Sequence, residues 1–100
     1  MLKVEIIGNI GADAKIVNGA NGAGYLMFPV AHNPRKEGAQ PVWVNCSHRI
    51  SGGGNLSQYI LKGTRVYVRG NLSVSVYTTD DGEIVPNIAC QVTELELLGR

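Results

Sequence analysis

Apolar and polar residues alternate along most of this chain, and the alternation marks out strands. Over Leu2–Ile10, Val4, Ile6 and Gly8 fall on one face while Lys3, Glu5 and Ile7 fall on the other, the period of two expected of a half-buried strand. Ile7 sets an apolar side chain on the otherwise polar face, which predicts that this face is covered as well. Gly8-Asn9 allows a bend or bulge. Asn18-Gly19-Ala20-Asn21-Gly22-Ala23-Gly24 reads as the tip between two strand arms, because its two Asn-Gly pairs tolerate the left-handed geometry of hairpin turns. The sheet resumes over Tyr25–His32. Pro29 has no ladder donor, so either its nitrogen points away from a neighbour or the strand is irregular there. That leaves the facing of Tyr25, Met27 and Phe28 open.

His32–Gln40 is polar, holds Pro34 and a basic pair, and reads as a connecting loop. Pro41–Ser47 is the clearest alternating strand of the first half. Ser51–Asn55 interrupts it, and a short helix follows over Leu56–Leu61. Asn55 is its candidate N-cap, and Leu56, Tyr59 and Ile60 are spaced to plug something apolar. Lys62-Gly63 supplies a basic last turn and a glycine stop. Over Thr64–Leu72, Val66 and Val68 face a core while Arg65, Tyr67 and Arg69 face out, and Gly70 permits a sharp bend. Ser73–Thr79 and Ile84–Leu98 are joined by Asp81-Gly82, a strong hairpin signal. Strands, a short helix, then more strands predict an all-β fold: a small, partly open five-stranded barrel whose helix fills one end. At 100 residues the chain suits one domain, residues 1–100, with one modest core.

Composition sharpens this in two ways. With 44% apolar and only 17% charged residues, the chain can bury a core, but its surface is poor in the charges that keep monomers apart, which favours an oligomer. The net charge of +1 permits no argument from overall charge, so placement has to carry it. Arg35, Lys36, Arg49, Lys62, Arg65 and Arg69 lie in a stretch whose only acid is Glu37, whereas five of the eight acids lie beyond residue 79. Such a split fits either an ordinary solvated surface or a basic face set against an acidic one. A surface of rings and arginines suits a single nucleic-acid strand, whose unstacked bases offer flat faces and whose phosphates attract positive charge.

Chemistry of other kinds finds little to work with. Cys46 and Cys90 each sit in an alternating strand pattern and read as small buried hydrophobes; no Cys/His spacing fits zinc, and no cofactor is expected. Gly52-Gly53-Gly54 lacks the Gly-Lys-Ser/Thr ending of a phosphate-cradling loop and reads as a flexible link. Asp80, Asp81 and Glu83 crowd a hairpin tip as solvated acids. Cys46 and His48 stand two apart on one strand with no orienting acid close in sequence, so an enzyme is not expected. The start, MLKVEIIGN, lacks an apolar signal region and no run is long enough to cross a membrane, so the expected home is the cytoplasm and no membrane partner is expected.

Several segments are similar to the bacterial single-stranded DNA-binding protein family. Lys3-Val4-Glu5-Ile6-Ile7-Gly8-Asn9-Ile10-Gly11-Ala12-Asp13 resembles its first strand and following turn, and Asn21-Gly22 its tip before the second arm. Trp43-Val44-Asn45-Cys46 resembles its W-x-x-V segment, with Cys46 in the valine's place. Tyr59 to Leu72 resembles its YLxKGxxVxVxGxL segment, the longest and most specific match. The resemblance spans essentially the whole chain. It implies an oligonucleotide/oligosaccharide-binding barrel (OB-fold), homotetramers, and coating of single-stranded DNA with little sequence preference in replication, recombination or repair. It also implies base stacking on Trp43 and on Tyr77, which falls where a tryptophan commonly stands. Two stacking positions depart from the pattern: a loop tryptophan is Pro34 here, and a phenylalanine after the third strand is Arg49, whose plane can still stack on a base. The family usually continues into a flexible linker and an acidic tail that recruits replication and repair proteins. This sequence stops at Gly99-Arg100, as a truncated form or a branch without that role would.

For Trp43 both a core and a surface placement are open; Val42 and Val44 are the better core candidates, which favours a surface ring free to stack. Tyr67 suits cross-strand packing or an interface, and Tyr59 reads as helix packing. The expected DNA-binding set is Trp43, Tyr77, Arg35, Lys36, Arg49, Lys62, Arg65 and Arg69. The competing reading is a primosome-like or assembly accessory that acts mainly through protein contacts. The two differ in whether the rings and arginines share one exposed groove.

Overall fold

The computed structural model describes residues 1–18, 24–50 and 55–99. Among these, six strands follow in chain order: β1 (Lys3–Ile10), β2 (Lys15–Asn18), β3 (Gly24–His32), β4 (Val42–Ile50), β5 (Arg65–Thr78) and β6 (Ile84–Gly99), with a 3-10 helix at Asn55–Tyr59. The glycine-rich tip at 19–23, the glycine run at 52–54 and the capping side chain of Asn55 lie outside the described residues.

The strands form one sheet in the order β1-β5-β6-β4-β3-β2, and an added β1–β3 pairing turns that sheet back on itself. Five strands therefore close a ring, and the short β2 hangs from β3 as a hairpin arm, Asn18 opposite Gly24. Closure is antiparallel everywhere except between β4 and β6, which run parallel from Asn45↔Ala89 to His48↔Val92. The β1–β3 seam is short, Asn9↔Ala31 and Ile10↔Val30. It requires glycine at Gly8, where a Cβ would lie 2.3 Å from the Ala31 carbonyl oxygen. The opposite corner requires glycine too. At Gly70 a Cβ would lie 2.1 Å from the Gln91 carbonyl oxygen and 2.9 Å from Cys90 Sγ, and the β5–β6 register shifts between Arg69 and Gly70. Two backbones that close leave no room for a methyl group, so the sheet can curl tightly there.

Alternation decides the core. Ile6 and Ile10, Leu26, Phe28 and Val30, Val44 and Cys46, Val66 and Val68, Cys90 and Val92 all point inward and are buried. Pro29 does not disturb β3, because it falls between the β2 pairing, which ends at Met27, and the β1 pairing, which begins at Val30. Only its carbonyl is used there, accepting from the Gly11 N–H at 3.0 Å. With Leu26 and Phe28 inside, Tyr25 and Met27 are left on the outer face.

The barrel end departs from the expected helix. A 3-10 segment over Asn55–Tyr59 replaces an α-helix over Leu56–Leu61, and its three residues per turn rotate the apolar stripe away from α register. Ile60, just beyond the segment, becomes the plug with no exposed surface, and Leu56 packs beside it. Tyr59, expected to pack the helix onto the barrel, is instead 57% exposed. Beyond the bulge, β5 and β6 leave the barrel as a two-stranded arm paired from Val74↔Ile88 to Thr78↔Ile84. Thr79 closes its tip by accepting from the Gly82 N–H at 2.9 Å and donating from its own N–H to the Glu83 carbonyl at 2.8 Å.

Candidate nucleic-acid interface

The outer face of β4 carries Trp43, Asn45, Ser47 and Arg49, because Val44, Cys46 and His48 take the inward positions. Trp43 is 49% exposed. Its ring rests on the backbone of Gly11, where a Cβ would stand 2.3 Å from the ring's Cζ3 and 2.6 Å from Cη2. The Cζ3–Cη2 edge of the indole therefore abuts Gly11, and about half of the residue is open to solvent. Two residues on, Asn45 donates from Nδ2 to Asn87 Oδ1 at 2.8 Å, a clip across the parallel β4–β6 seam. Asn87 pairs with Ser75, and two residues farther along the arm Tyr77 stands exposed on the same side of the sheet. Thus the structure brings Trp43 and Tyr77 onto one face, joined through the amide pair.

Arg49 lies on that face as well, six positions from Trp43, about 20 Å at the usual rise per strand residue. It pairs with Tyr25 across β3. Tyr25, Met27 and Asn45 belong to this surface and were not among the expected site residues. The signal was available in the inward run Leu26, Phe28, Val30, which forces Tyr25 and Met27 outward once Pro29 is allowed within the strand.

The remaining basic residues divide. Arg35 and Lys36 are exposed on the loop after β3. Lys62 sits in the turn before β5, where its backbone N–H donates to Asp13 Oδ1 at 2.7 Å. Arg65 faces out from β5 beside Asn9 of β1. Arg69 is on the same wall, but Glu94 lies 3.7 Å away, the only ion pair among the described residues, and offsets its charge. Tyr67, between these arginines, donates its hydroxyl to Glu5 Oε2 at 2.7 Å. That bond is the main reason its pKa is raised, so the phenol is committed to β1.

The interior offers no comparable chemistry. Burial pushes the Cys46 thiol up to about 12, with the neighbouring Cys90 adding to the effect, and burial raises Cys90 as well. Both are free thiols, opposite one another in the β4–β6 register. Among the described residues no group of His, Cys, Asp and Glu is placed to hold a metal, and no helix is long and apolar enough to cross a membrane.

A closed five-stranded barrel with a projecting hairpin arm, and with a half-exposed tryptophan and arginines on its outer surface, defines an OB-fold protein with a surface fit for an unpaired strand. The chain matches the model of the single-strand binding protein family over residues 1–98 and belongs to that family. It is 31% identical over 97 residues to RIM1, the mitochondrial single-stranded DNA-binding protein of Saccharomyces cerevisiae, covering 96% of this chain and 71% of the relative. A single-stranded DNA-binding protein of Mycobacterium leprae is 27% identical over 101 residues, covering 92% of this chain and 60% of the relative. Among solved structures, the crystal structure of yeast Rim1 superposes with a TM-score of 0.73 at 29% identity, covering 98% of this chain and 95% of that one. The small single-stranded DNA-binding protein of Streptomyces coelicolor has a TM-score of 0.78 at 16% identity, covering 96% and 93%, and so shares the fold.

Proposed function

We propose that this protein binds and coats single-stranded DNA without reading its sequence, as a non-enzymatic partner of replication, repair or recombination. Membership of the single-strand binding protein family supports this, and nothing favours the accessory-protein alternative. The observation that carries the reading is the single tryptophan, Trp43, half exposed with one ring edge against Gly11 and with Tyr77 on the same side of the sheet. Any base can stack on such a ring because every base has a π-face, so the grip is sequence-tolerant. Arg49, Arg35, Lys36, Lys62 and Arg65 supply phosphate neutralisation around the rings; Arg69, already paired with Glu94, contributes least.

The same reading includes self-association into a homotetramer. Along Lys3–Gly8, β1 is hydrogen-bonded only to β5, so its other edge is open. Beside that edge lies a hollow of about 550 Å³, lined chiefly by Val4, Ile6, Val42, Val44, Leu72 and Ile88. An open strand edge beside an apolar mouth favours pairing with a second copy.

The test uses Trp43 as its own reporter. Titration with single-stranded oligothymidine should quench its fluorescence, duplex DNA should not, and affinity should fall as salt rises with a log–log slope of several units. No quenching and no anisotropy change with labelled oligothymidine at low salt would return the protein to the accessory reading.

A further inference from the structure

The cross-strand register draws one continuous row over the outer wall. Arg65 of β5 stands opposite Asn9 of β1, Asn9 opposite Ala31 of β3, and Ala31 opposite Trp43 of β4. Cross-strand partners share a face, so all four side chains point outward together. Ala31 is small and only 8% exposed, lying between its larger neighbours. Three strand spacings of about 4.8 Å put the backbones of Arg65 and Trp43 roughly 14 Å apart. Above the β1–β3 seam, at the Arg65 end of this row, is a cleft of about 300 Å³ lined by His32 at the end of β3, Asn33 and Arg35 of the loop that follows, and Asn9 and Arg65 of the barrel. Among the described residues no carboxylate lines it. Two guanidiniums thirty residues apart in sequence are thus brought to one hollow, with carboxamides beside them and Ile7, Gly8 and Ala31 completing its lining.

Resting on the single-strand-binding reading, the geometry points to this cleft as a phosphodiester site in fixed register with the Trp43 stack. A strand whose base lies on Trp43 crosses β3 and β1 at a steep angle to the strands and delivers a phosphate to Arg35 and Arg65. The span is about four stacked nucleotides at roughly 3.4 Å each, or about half as many fully extended ones. Arg65 is suited to this because its planar fork matches phosphate oxygens in two-point contact, and Asn9 and Asn33 can donate to the same group. The small Ala31 between the two ends keeps the path clear. The site is distinct from Arg49, which serves the far end of β4, and from Arg69, whose charge is engaged by Glu94.

The double variant Arg35→Gln/Arg65→Gln tests the assignment, read by Trp43 quenching with oligothymidine of about fifteen nucleotides across a salt series. Binding should weaken roughly tenfold at low salt, and the log–log salt slope should fall by about 1 to 2, while Arg69→Gln, whose charge is already engaged by Glu94, lowers the slope by less. A chain carrying Arg65→Lys with Arg35 intact should retain the slope, because the charge remains. Thermal melting of each variant separates loss of binding from loss of fold, and all three side chains are exposed, so none should melt early. A double variant that binds with the wild-type slope overturns the phosphate site and leaves the wider function standing. So does one whose slope is unchanged while its oligomeric mass falls, since the cleft would then hold a carboxylate of a second copy. A wild type that binds no oligothymidine removes both readings together.

Discussion

Trp43 shows how one side chain is made available by another that is missing. The indole's Cζ3–Cη2 edge fits against residue 11 only because that residue is glycine, and about half of the side chain stays exposed. Replacing Trp43 by alanine should weaken oligothymidine binding by about 1 to 3 kcal/mol per base lost, whereas phenylalanine should retain part of the stacking. Anisotropy with labelled oligonucleotide measures this, since the variants lack the fluorescent reporter. Tyr59→Ala is the matched control: Tyr59 is exposed but stands on the 3-10 segment at the barrel end, and its loss should leave affinity unchanged. Equal affinities for wild type and Trp43→Ala would remove the ring from the interface.

Cys46 carries a pH dependence of its own. Its thiol is raised from 9.0 to about 12 by burial in the core. The folded state therefore holds a proton that the unfolded chain releases above pH 9. The sign follows: stability from this group is fully present below 9 and is lost as pH rises towards 12, by about 1.4 kcal/mol per pH unit in that window. Denaturant melts between pH 8 and 11 should show a steeper alkaline decline for wild type than for Cys46→Val, which removes the proton and fills the site. Parallel declines would mean that Cys46 ionises as readily in the fold as outside it.

At the scale of elements, the barrel depends on where backbones meet without side chains between them. Gly70 stands at the β5–β6 register shift, where the strand stops being barrel wall and becomes the arm. Gly70→Ala would press its methyl group against the Gln91 carbonyl and Cys90 Sγ, a clash with backbone that rotamer change cannot relieve. The cost should be at least about 1 to 3 kcal/mol, the usual range for overpacking, seen as a lower urea midpoint with unchanged m-value. An unchanged midpoint would show that the arm can pivot at this point without strain. The Arg69–Glu94 pair on the neighbouring wall behaves differently. Both side chains are about half exposed, so Arg69→Gln should alter stability by no more than about 1 kcal/mol.

At the scale of the whole molecule, a 10.7 kDa barrel presents one short groove, and one groove holds few nucleotides. Joining several copies raises the local concentration of the next groove once one is filled, which strengthens coating without any new contact. The open edge of β1, the apolar mouth beside it and Ile7, 50% exposed on the outer face, provide the surfaces for such joining. Sedimentation equilibrium without DNA should give a mass near four times 10.7 kDa. A mass near twice 10.7 kDa would keep the edge pairing and discard the second contact; the monomer mass would discard both.

How much of this was readable in the chain follows from the range of the forces involved. Alternation is local, so Val66 and Val68 inside, Arg65 and Arg69 outside, the bend at Gly70 and the Asp81-Gly82 turn could all be read from residues a few positions apart. The family resemblance likewise rests on contiguous segments, chiefly Tyr59 to Leu72. Register across distant strands is not local. That Arg65, Asn9, Ala31 and Trp43 form one row, that Arg35 folds over it, and that Arg69 instead meets Glu94 depend on how the sheet closes. Closure is decided by the packing of the whole core and by two glycines that let backbones touch. The Tyr59 misplacement has the same origin. An α period was assumed for a segment that the barrel end tightened into a 3-10 turn, with Ile60 chosen as plug by the space left to fill. Sequence alone determined which residues carry charge or rings and, outside the Pro29 strand, which face in; only the tertiary structure decided which of those, far apart along the chain, stand together on one wall of the barrel.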